Sequence, residues 1–339
     1  MIPSFTTPDI NRRILLARRP DGIPLAGDFR TEVAPVPSVE ADTLMVRNLY
    51  LSADPVQRGW AANEAVMPLG SVMHSLAVGI VIESRMAGIA PGDLVHGRFG
   101  WQDYAIAKRA DILSHVARAR APASAYAGVL GMPGVTAWLA LADHAPPQPD
   151  ETILVSTAAG AVGSVVSQIA RAAGARVIGL TGSTEKVARC VERYGCAEAY
   201  NYKEVDLAAT LEQAAPDGFS TYFDNTGGWI LDTALRAMAK GGRIIQCGTA
   251  ATASWFPPPT GLRPEREILT RVLTWSGFYI FDHQDRFGAA IEALSDLMDA
   301  GQLHHDEDLE TGFARVAGTL ETLFAGENMG KKLIFIGND

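Results

Sequence analysis

Apolar and polar positions alternate in two different rhythms along this chain. Up to about residue 121 the rhythm is short. Thr43-Leu-Met-Val-Arg-Asn-Leu-Tyr50, Ala77-Val-Gly-Ile-Val-Ile-Glu83 and Asp93-Leu-Val-His96 have the texture of strands, broken by proline and glycine, with Pro91-Gly92 turning into the third. They predict a mostly β domain with a small barrel or sandwich core. From about residue 126 strands alternate with helical stretches. Thr152-Ile-Leu-Val-Ser156 reads as a buried strand, followed by a helix over Val162 to Ala173 that Gly174 stops. Arg176-Val-Ile-Gly-Leu180 is the next strand. Ser183 can cap the helix after it, with Glu185 in the first turn and Gly195 at the end. Ser220 to Asp224, Arg243 to Cys247 and Thr274 to Ile280 read as later strands with helical segments between them. Repeated βαβ order predicts a parallel, doubly wound sheet. The run Lys332-Leu-Ile-Phe-Ile336, after the loop Gly326-Glu-Asn-Met-Gly330, is strand-like, and composition alone leaves open which domain it joins.

A chain of 339 residues has room for two domains. The linker reads at Ala121-Pro122, whereas Pro146-Pro147-Gln148-Pro149 reads as a loop inside the second domain. A formal net charge of −9 argues against a nucleic-acid partner, which calls for a basic face. The pairs Arg12-Arg13, Arg18-Arg19 and Lys331-Lys332 read as solvated surface charge. The cysteines are Cys190, Cys196 and Cys247, an odd number with no framework spacing, so a reducing, cytoplasmic setting is expected. No signal-peptide pattern opens the chain, and its apolar runs fall short of the roughly 18 residues of a membrane span.

The chemistry centres on Ala158-Ala-Gly-Ala-Val-Gly163, which follows a predicted strand and opens a predicted helix. That is the context of a dinucleotide fingerprint: glycine allows the sharp turn, and the helix N-terminus offers unpaired N–H groups to a pyrophosphate. The three-glycine motif is incomplete, since Thr157 and Ala158 hold the earlier positions, and a bare Gly-x-x-Gly also serves as an ordinary turn. The end of the second strand says more. NAD sites place a carboxylate there for the ribose hydroxyls; here the chain reads Thr181-Gly-Ser183-Thr184, with Lys186 just beyond. Small hydroxyls such as Ser183 and a lysine at a helix N-terminus suit a 2′-phosphate, so NADPH is expected over NADH.

Other chemistries find less support. With no cysteine before Cys190, the usual catalytic and structural zinc sites of dehydrogenases cannot be built. His304-His305 beside Asp306-Glu307-Asp308 reads as a polar surface turn, His74, His96 and His115 as structural, and Cys247 as a small buried residue at a strand end. No Gly-x-Ser-x-Gly elbow is present, so hydrolysis has no nucleophile of that kind. Hydride transfer, with the cofactor carrying the hard chemistry, remains.

These motifs together resemble the zinc-independent medium-chain dehydrogenase/reductases, and within them the leukotriene B4 dehydrogenase/prostaglandin reductase group of NADPH-dependent alkenal double-bond reductases, curcumin reductase included. The resemblance runs over nearly the whole chain. It is carried by Asn48-Leu-Tyr-Leu-Ser-Ala-Asp-Pro55, Gly131-Met-Pro-Gly-Val-Thr-Ala137, Val155 to Ser164, Thr181-Gly-Ser-Thr-Glu-Lys186, Asn201-Tyr-Lys203, Tyr222-Phe-Asp-Asn-Thr-Gly-Gly228 and Gly326-Glu-Asn-Met-Gly-Lys331. It implies an α/β fold: a GroES-like β-barrel catalytic domain over 1–121 and 306–339, and a Rossmann NADPH-binding domain over 122–305, with the active site in the cleft. It also implies a homodimer. By position, Gly160, Ala161, Val162 and Gly163 match the family's pyrophosphate turn, and Lys186 and Tyr202 its 2′-phosphate ligands. Asn225, Cys247, Phe278, Ile280 and Asn328 match residues lining the nicotinamide half or its approach, and Tyr50 matches a tyrosine reaching the active site.

One departure stands out. Shortly beyond its Cys-Gly the family carries an Ile-Ser-x-Tyr run, whose tyrosine touches the substrate carbonyl and the nicotinamide ribose. This chain reads Cys247-Gly-Thr-Ala-Ala-Thr-Ala-Ser-Trp255, placing Ala253 there, before Pro257-Pro258-Pro259. The implied reaction is reduction of an α,β-unsaturated aldehyde or ketone, with Tyr50 and the ribose 2′-hydroxyl as donors to the carbonyl oxygen and water as the proton source at the α-carbon. A quinone reductase would share fold, cofactor and lack of zinc. A catalytically silent NADPH-binding protein would keep the same cofactor markers.

Overall fold

The computed structural model describes residues 9–252 and 259–337. The chain divides into two compact units, Met1–Gly131 with Glu307–Asp339, and Met132–Asp306. The first boundary falls later than the expected linker at Ala121-Pro122. The cause is the short 3-10 turn Ala123–Ala127, whose Ser124, Ala125, Tyr126 and Ala127 are buried and pack on strands of the first unit.

In the first unit, Ile10–Leu16 pairs with Phe29–Pro35 as an antiparallel ribbon. The main sheet runs in the order Glu307–Thr311, Lys331–Phe335, Leu44–Ser52, Leu76–Ser84, Leu94–Arg98, Ile112–Val116, with Tyr104–Ala107 also pairing to Leu44–Ser52. Only the first of these pairings is parallel. The strand Leu44–Ser52 therefore bonds three partners, and irregularities at Met45/Val46 and Asn48/Tyr50 let it bend between them. The sheet closes over Leu44, Val46, Leu51, Val81, Val95, Phe99, Trp101 and Ile334. This settles what composition left open: the run near the C-terminus is a strand of the first unit.

Lys331 and Lys332, expected as solvated charges, are 4% and 5% exposed. Lys331 Nζ donates to Asp54 Oδ1 and to the Ala53 carbonyl, both at 2.7 Å, and Lys332 pairs with Asp308 and Glu310. Neighbouring residues on a strand point to opposite faces, so each lysine finds its own carboxylates. Arg12 and Arg13 are likewise committed, to Asp103 and Glu32.

His96 lies beside the Lys331–Asp54 pair, 1% exposed, with Nδ1 lacking a partner among the described residues. Burial, the largest influence, and the Lys331 charge push its pKa down, against the pull of Asp54, to about 4. The unfolded imidazole takes up a proton below about 6.5 and the folded one only near 4. Between these values the unfolded state binds more protons, so stability falls as the pH drops. Urea unfolding at pH 7 and pH 5 should show a loss of about 2 kcal/mol that His96→Leu removes; an equal loss in both proteins would contradict this.

In the second unit we number elements from its start: α1 Met132–His144, β1 Thr152–Ser156, α2 Gly163–Ala172, β2 Arg176–Thr181, α3 Thr184–Glu192, β3 Glu198–Asn201, α4 Leu207–Ala214, β4 Phe219–Asp224, α5 Gly228–Arg236, β5 Met238–Gln246, α6 Glu265–Arg271, β6 Thr274–Gly277 and α7 Phe287–Asp299. The six strands are parallel, in the order β3-β2-β1-β4-β5-β6. Helices cover both faces, which is why Ile153, Leu154 and Val155 form an unbroken apolar run. Leu154, Ile178, Leu180 and Tyr222 pack against Leu207 and Leu211 of α4 and Ile230 of α5; α1, α2 and α7 pack together elsewhere on the sheet. The strand expected over Thr274 to Ile280 stops at Gly277. The Phe278 N–H still donates to the Gln246 carbonyl, but bonding then turns local in a 3-10 helix, Ile280–Arg286. Sheet order reverses between β1 and β4, and at such a switch the strand ends leave a crevice.

Candidate functional site

At the end of β1 the chain turns sharply into α2. A Cβ on Gly163 would lie 2.3 Å from the Thr157 carbonyl oxygen, so only glycine lets helix and strand approach this closely. Thr157 itself has φ of +53°, unfavourable for a β-branched residue, and its hydroxyl bonds that of Thr226 at 3.0 Å. Val162 caps α2 without a side-chain bond. Among the described residues the Ala161 and Val162 amides have no hydrogen-bond partner. Two free N–H groups at a helix N-terminus suit a pyrophosphate.

At the end of β2, Ser183 caps α3 by accepting from the Lys186 amide at 3.3 Å. Half-buried Lys186 thus stands in the first turn. The segment after β3 closes on the end of β2. A Cβ on Gly182 would lie 3.1 Å from the Tyr202 hydroxyl and 3.5 Å from Lys203 Nζ. Lys203, quoted in the sequence only as part of a motif, makes no ion pair among the described residues. One ammonium group and a phenol beside a bare glycine, with Lys186 in the first turn of the helix that follows and no carboxylate ending β2, suit a dianion.

The third part lies at the ends of β4 and β5. The Asn225 amide donates to Ser156 Oγ, and its side chain donates to the Ser156 carbonyl, both at 2.8 Å. Cys247 is half-buried and its N–H donates to the Asp224 carbonyl at 2.8 Å. Burial, and then the charge of Asp224, pushes its thiol up to about 12. It is therefore a thiol and not a nucleophile at neutral pH. Phe278 and Ile280 are each 8% exposed; the Phe278 ring stacks on His283 at 4.8 Å and meets His144 edge-on at 6.0 Å.

The structure thus gathers Gly160 to Gly163, Ser183, Lys186, Tyr202, Asn225, Cys247, Phe278 and Ile280 at the C-terminal ends of one parallel sheet. Tyr50 and Asn328 belong to the first unit. Tyr50 is half-buried against Phe335, at 5.0 Å between rings, and burial with the Glu307 charge raises its hydroxyl above the ordinary tyrosine range. Asn328 Nδ2 donates to the Gly330 carbonyl at 2.8 Å. Ala253, Trp255, Pro257 and Pro258 lie outside the described residues. The His304-His305 turn is engaged within the unit: the His304 carbonyl accepts from Gln168 Nε2 and its N–H donates to Gln168 Oε1, and Asp306 accepts from Tyr194 and Arg193. Among the described residues no group of three or more His, Cys, Asp or Glu could hold a metal ion, and no helix is long and apolar enough to cross a membrane.

A doubly wound sheet with a tight glycine turn into α2 and lysines at the second-strand end is the frame of a dinucleotide-dependent oxidoreductase. The chain belongs to the zinc-independent medium-chain dehydrogenase/reductase family. A family model described as the N-terminal domain of oxidoreductase matches residues 12–115, and one described as zinc-binding dehydrogenase matches residues 161–296. The NADP(+)-dependent 2-alkenal reductase of Nicotiana tabacum is 34% identical over 97% of this chain and 98% of its own length. The NADPH-dependent curcumin reductase of Escherichia coli strain K12 is 32% identical, with the same coverage of both. The crystal structure of CurA from Vibrio vulnificus in complex with NADPH is 32% identical, with a TM-score of 0.86, over 96% of this chain and 98% of that one.

Proposed function

We propose that this chain reduces the carbon–carbon double bond of α,β-unsaturated aldehydes and ketones with NADPH. The observation that carries the reading is full-length likeness to alkenal and curcumin reductases, joined to a cationic strand end that suits a 2′-phosphate. The Ala161 and Val162 amides hold the pyrophosphate; Lys186, Tyr202 and Lys203, beside the cap Ser183, hold the 2′-phosphate. Asn225, Cys247, Phe278 and Ile280 form the wall for the nicotinamide half, with Asn328 at its approach. When bound, NADPH supplies the hydride that the substrate β-carbon accepts. What remains for the protein is to orient the alkene and to stabilise negative charge on the carbonyl oxygen. Tyr50, whose environment keeps its hydroxyl protonated, donates to that oxygen, and water protonates the α-carbon.

A panel of enals, enones and quinones tests this by NADPH consumption. Turnover of enals and enones is expected, with Tyr50→Phe lowering kcat/KM about tenfold, the order of one lost hydrogen bond. Turnover of quinones alone, or of nothing, overturns the reading, and unchanged kcat/KM in Tyr50→Phe removes that residue from it. We further propose a homodimer, as the family resemblance implies, and a cytoplasmic setting, in keeping with three free cysteines; sedimentation and fractionation would check these.

A further inference from the structure

Asp224 ends β4 and is fully buried, 0% exposed. Its Oδ1 accepts from Ser156 Oγ at 3.0 Å, the Tyr222 hydroxyl at 2.8 Å, the Thr226 amide at 2.8 Å and the Gly227 amide at 3.0 Å. Its Oδ2 accepts from the Gly227 amide at 3.0 Å and Gln246 Nε2 at 2.7 Å. Its main-chain carbonyl accepts from the Cys247 and Gly248 amides at 2.8 and 3.0 Å. Ser156, Asp224 and Gln246 close β1, β4 and β5, so one carboxylate ties together three strand ends. Every partner is a neutral donor, and among the described residues no lysine or arginine pairs with it. Five donors, three of them N–H groups, converge on its two oxygens, a pattern that matches an acceptor-only carboxylate. The result is a buried negative charge held by dipoles and balanced by no cation.

That charge stands directly behind the wall of the proposed nicotinamide site. Asn225 follows it in the chain and Cys247 is bonded to it. Its field is felt on the wall, since it adds to burial in holding the Cys247 thiol protonated. The two redox forms of the cofactor differ there by one positive charge, carried by the oxidised nicotinamide.

We propose that Asp224 is a positioning residue with an electrostatic role. Through the Asn225–Cys247 wall its uncompensated charge favours NADP+ over NADPH and so makes the bound cofactor a stronger hydride donor. This rests on the placement of the nicotinamide half against that wall. It goes beyond that placement by assigning a sign-dependent role to a side chain that touches neither cofactor nor substrate. A low-dielectric setting with preorganised dipoles is where such a charge acts at longest range.

The test is the ratio of two dissociation constants, measured by titration calorimetry for NADP+ and by NADPH fluorescence. Asp224→Asn keeps size and removes charge. It should raise Kd(NADP+)/Kd(NADPH) about tenfold, moving the bound couple about 30 mV more positive. Tyr222→Phe and Ser156→Ala each remove a donor but keep the charge, and should leave the ratio at its wild-type value. Should Asp224→Asn fail to fold, Gln246→Lys sets an ammonium on the same carboxylate and should shift the ratio in the same direction. An unchanged ratio in the charge-altering variants, with both affinities falling together or not at all, overturns the proposal. Failure of the underlying placement shows separately: Cys247→Phe fills the wall position, and if it left both affinities intact the nicotinamide half would lie elsewhere.

Discussion

Replacing Lys186 with glutamate should weaken NADPH binding at least about a hundredfold while leaving the protein as stable as before, or more so. The affinity loss follows from charge. A charge-assisted bond to a phosphate contributes about 1.5–3 kcal/mol, and a carboxylate in its place adds repulsion, so a loss near 3 kcal/mol, about two decades of Kd, is expected. The stability result follows from the helix. Lys186 is in the first turn of α3, where the helix dipole disfavours a cation by some 0.3–1 kcal/mol. A glutamate there, at the third helical position after the cap Ser183, would instead complete a capping box. The natural residue thus works against its own helix, which is understandable if an anion is to be bound there. NADH, lacking the 2′-phosphate, should bind as well as or better than to the wild type, since a carboxylate there suits ribose hydroxyls. Fluorescence titrations with both cofactors and a thermal melt decide it. Equal losses for NADH and NADPH, or a marked drop in Tm, would mean that Lys186 is structural.

Lys331→Met should destabilise the first unit by about 3–5 kcal/mol, the usual cost of stripping one partner from a buried ion pair. Methionine fills the space of the stem, so the loss is electrostatic. Asp54, 4% exposed, would keep among the described residues the Ser52 hydroxyl alone on its carboxylate, and the Ala53 carbonyl would lose its ammonium donor. Adding Asp54→Asn removes the stranded charge and should recover much of the deficit, whereas two independent losses would add. Urea unfolding of wild type, single and double variants makes the comparison. A single-variant change below about 1 kcal/mol would show that the pair is no stronger than a surface ion pair.

Much of the site was legible because it is local in the chain. A continuous apolar strand, a glycine turn and a helix are neighbours in sequence, and so are the missing acid after β2, Ser183 and Lys186. Hydrophobic rhythm and turn chemistry report such features directly. Tyr202 came into view only through family likeness. Lys203, one residue on, stayed hidden because its proximity to Gly182 depends on β3 lying beside β2. Lys331 and Lys332 were misread for a related reason: two adjacent lysines look solvated until a strand sends one to each face and brings Asp54, Asp308 and Glu310 to meet them. Asp224 was visible inside a motif but mute, since its donors come from residues 156, 222, 226, 227 and 246.

By itself, then, the sequence determined the two textures, the doubly wound order, the phosphate turn and the preference for a 2′-phosphate, all of which rest on spacing along the chain or on residues adjacent in it. Only the tertiary structure decided which charges are buried, which unit takes the C-terminal strand, and which carboxylate gathers three strand ends behind the proposed cofactor wall. Burial and hydrogen bonding depend on distances between residues far apart in sequence, and those distances come into being only when the sheets form.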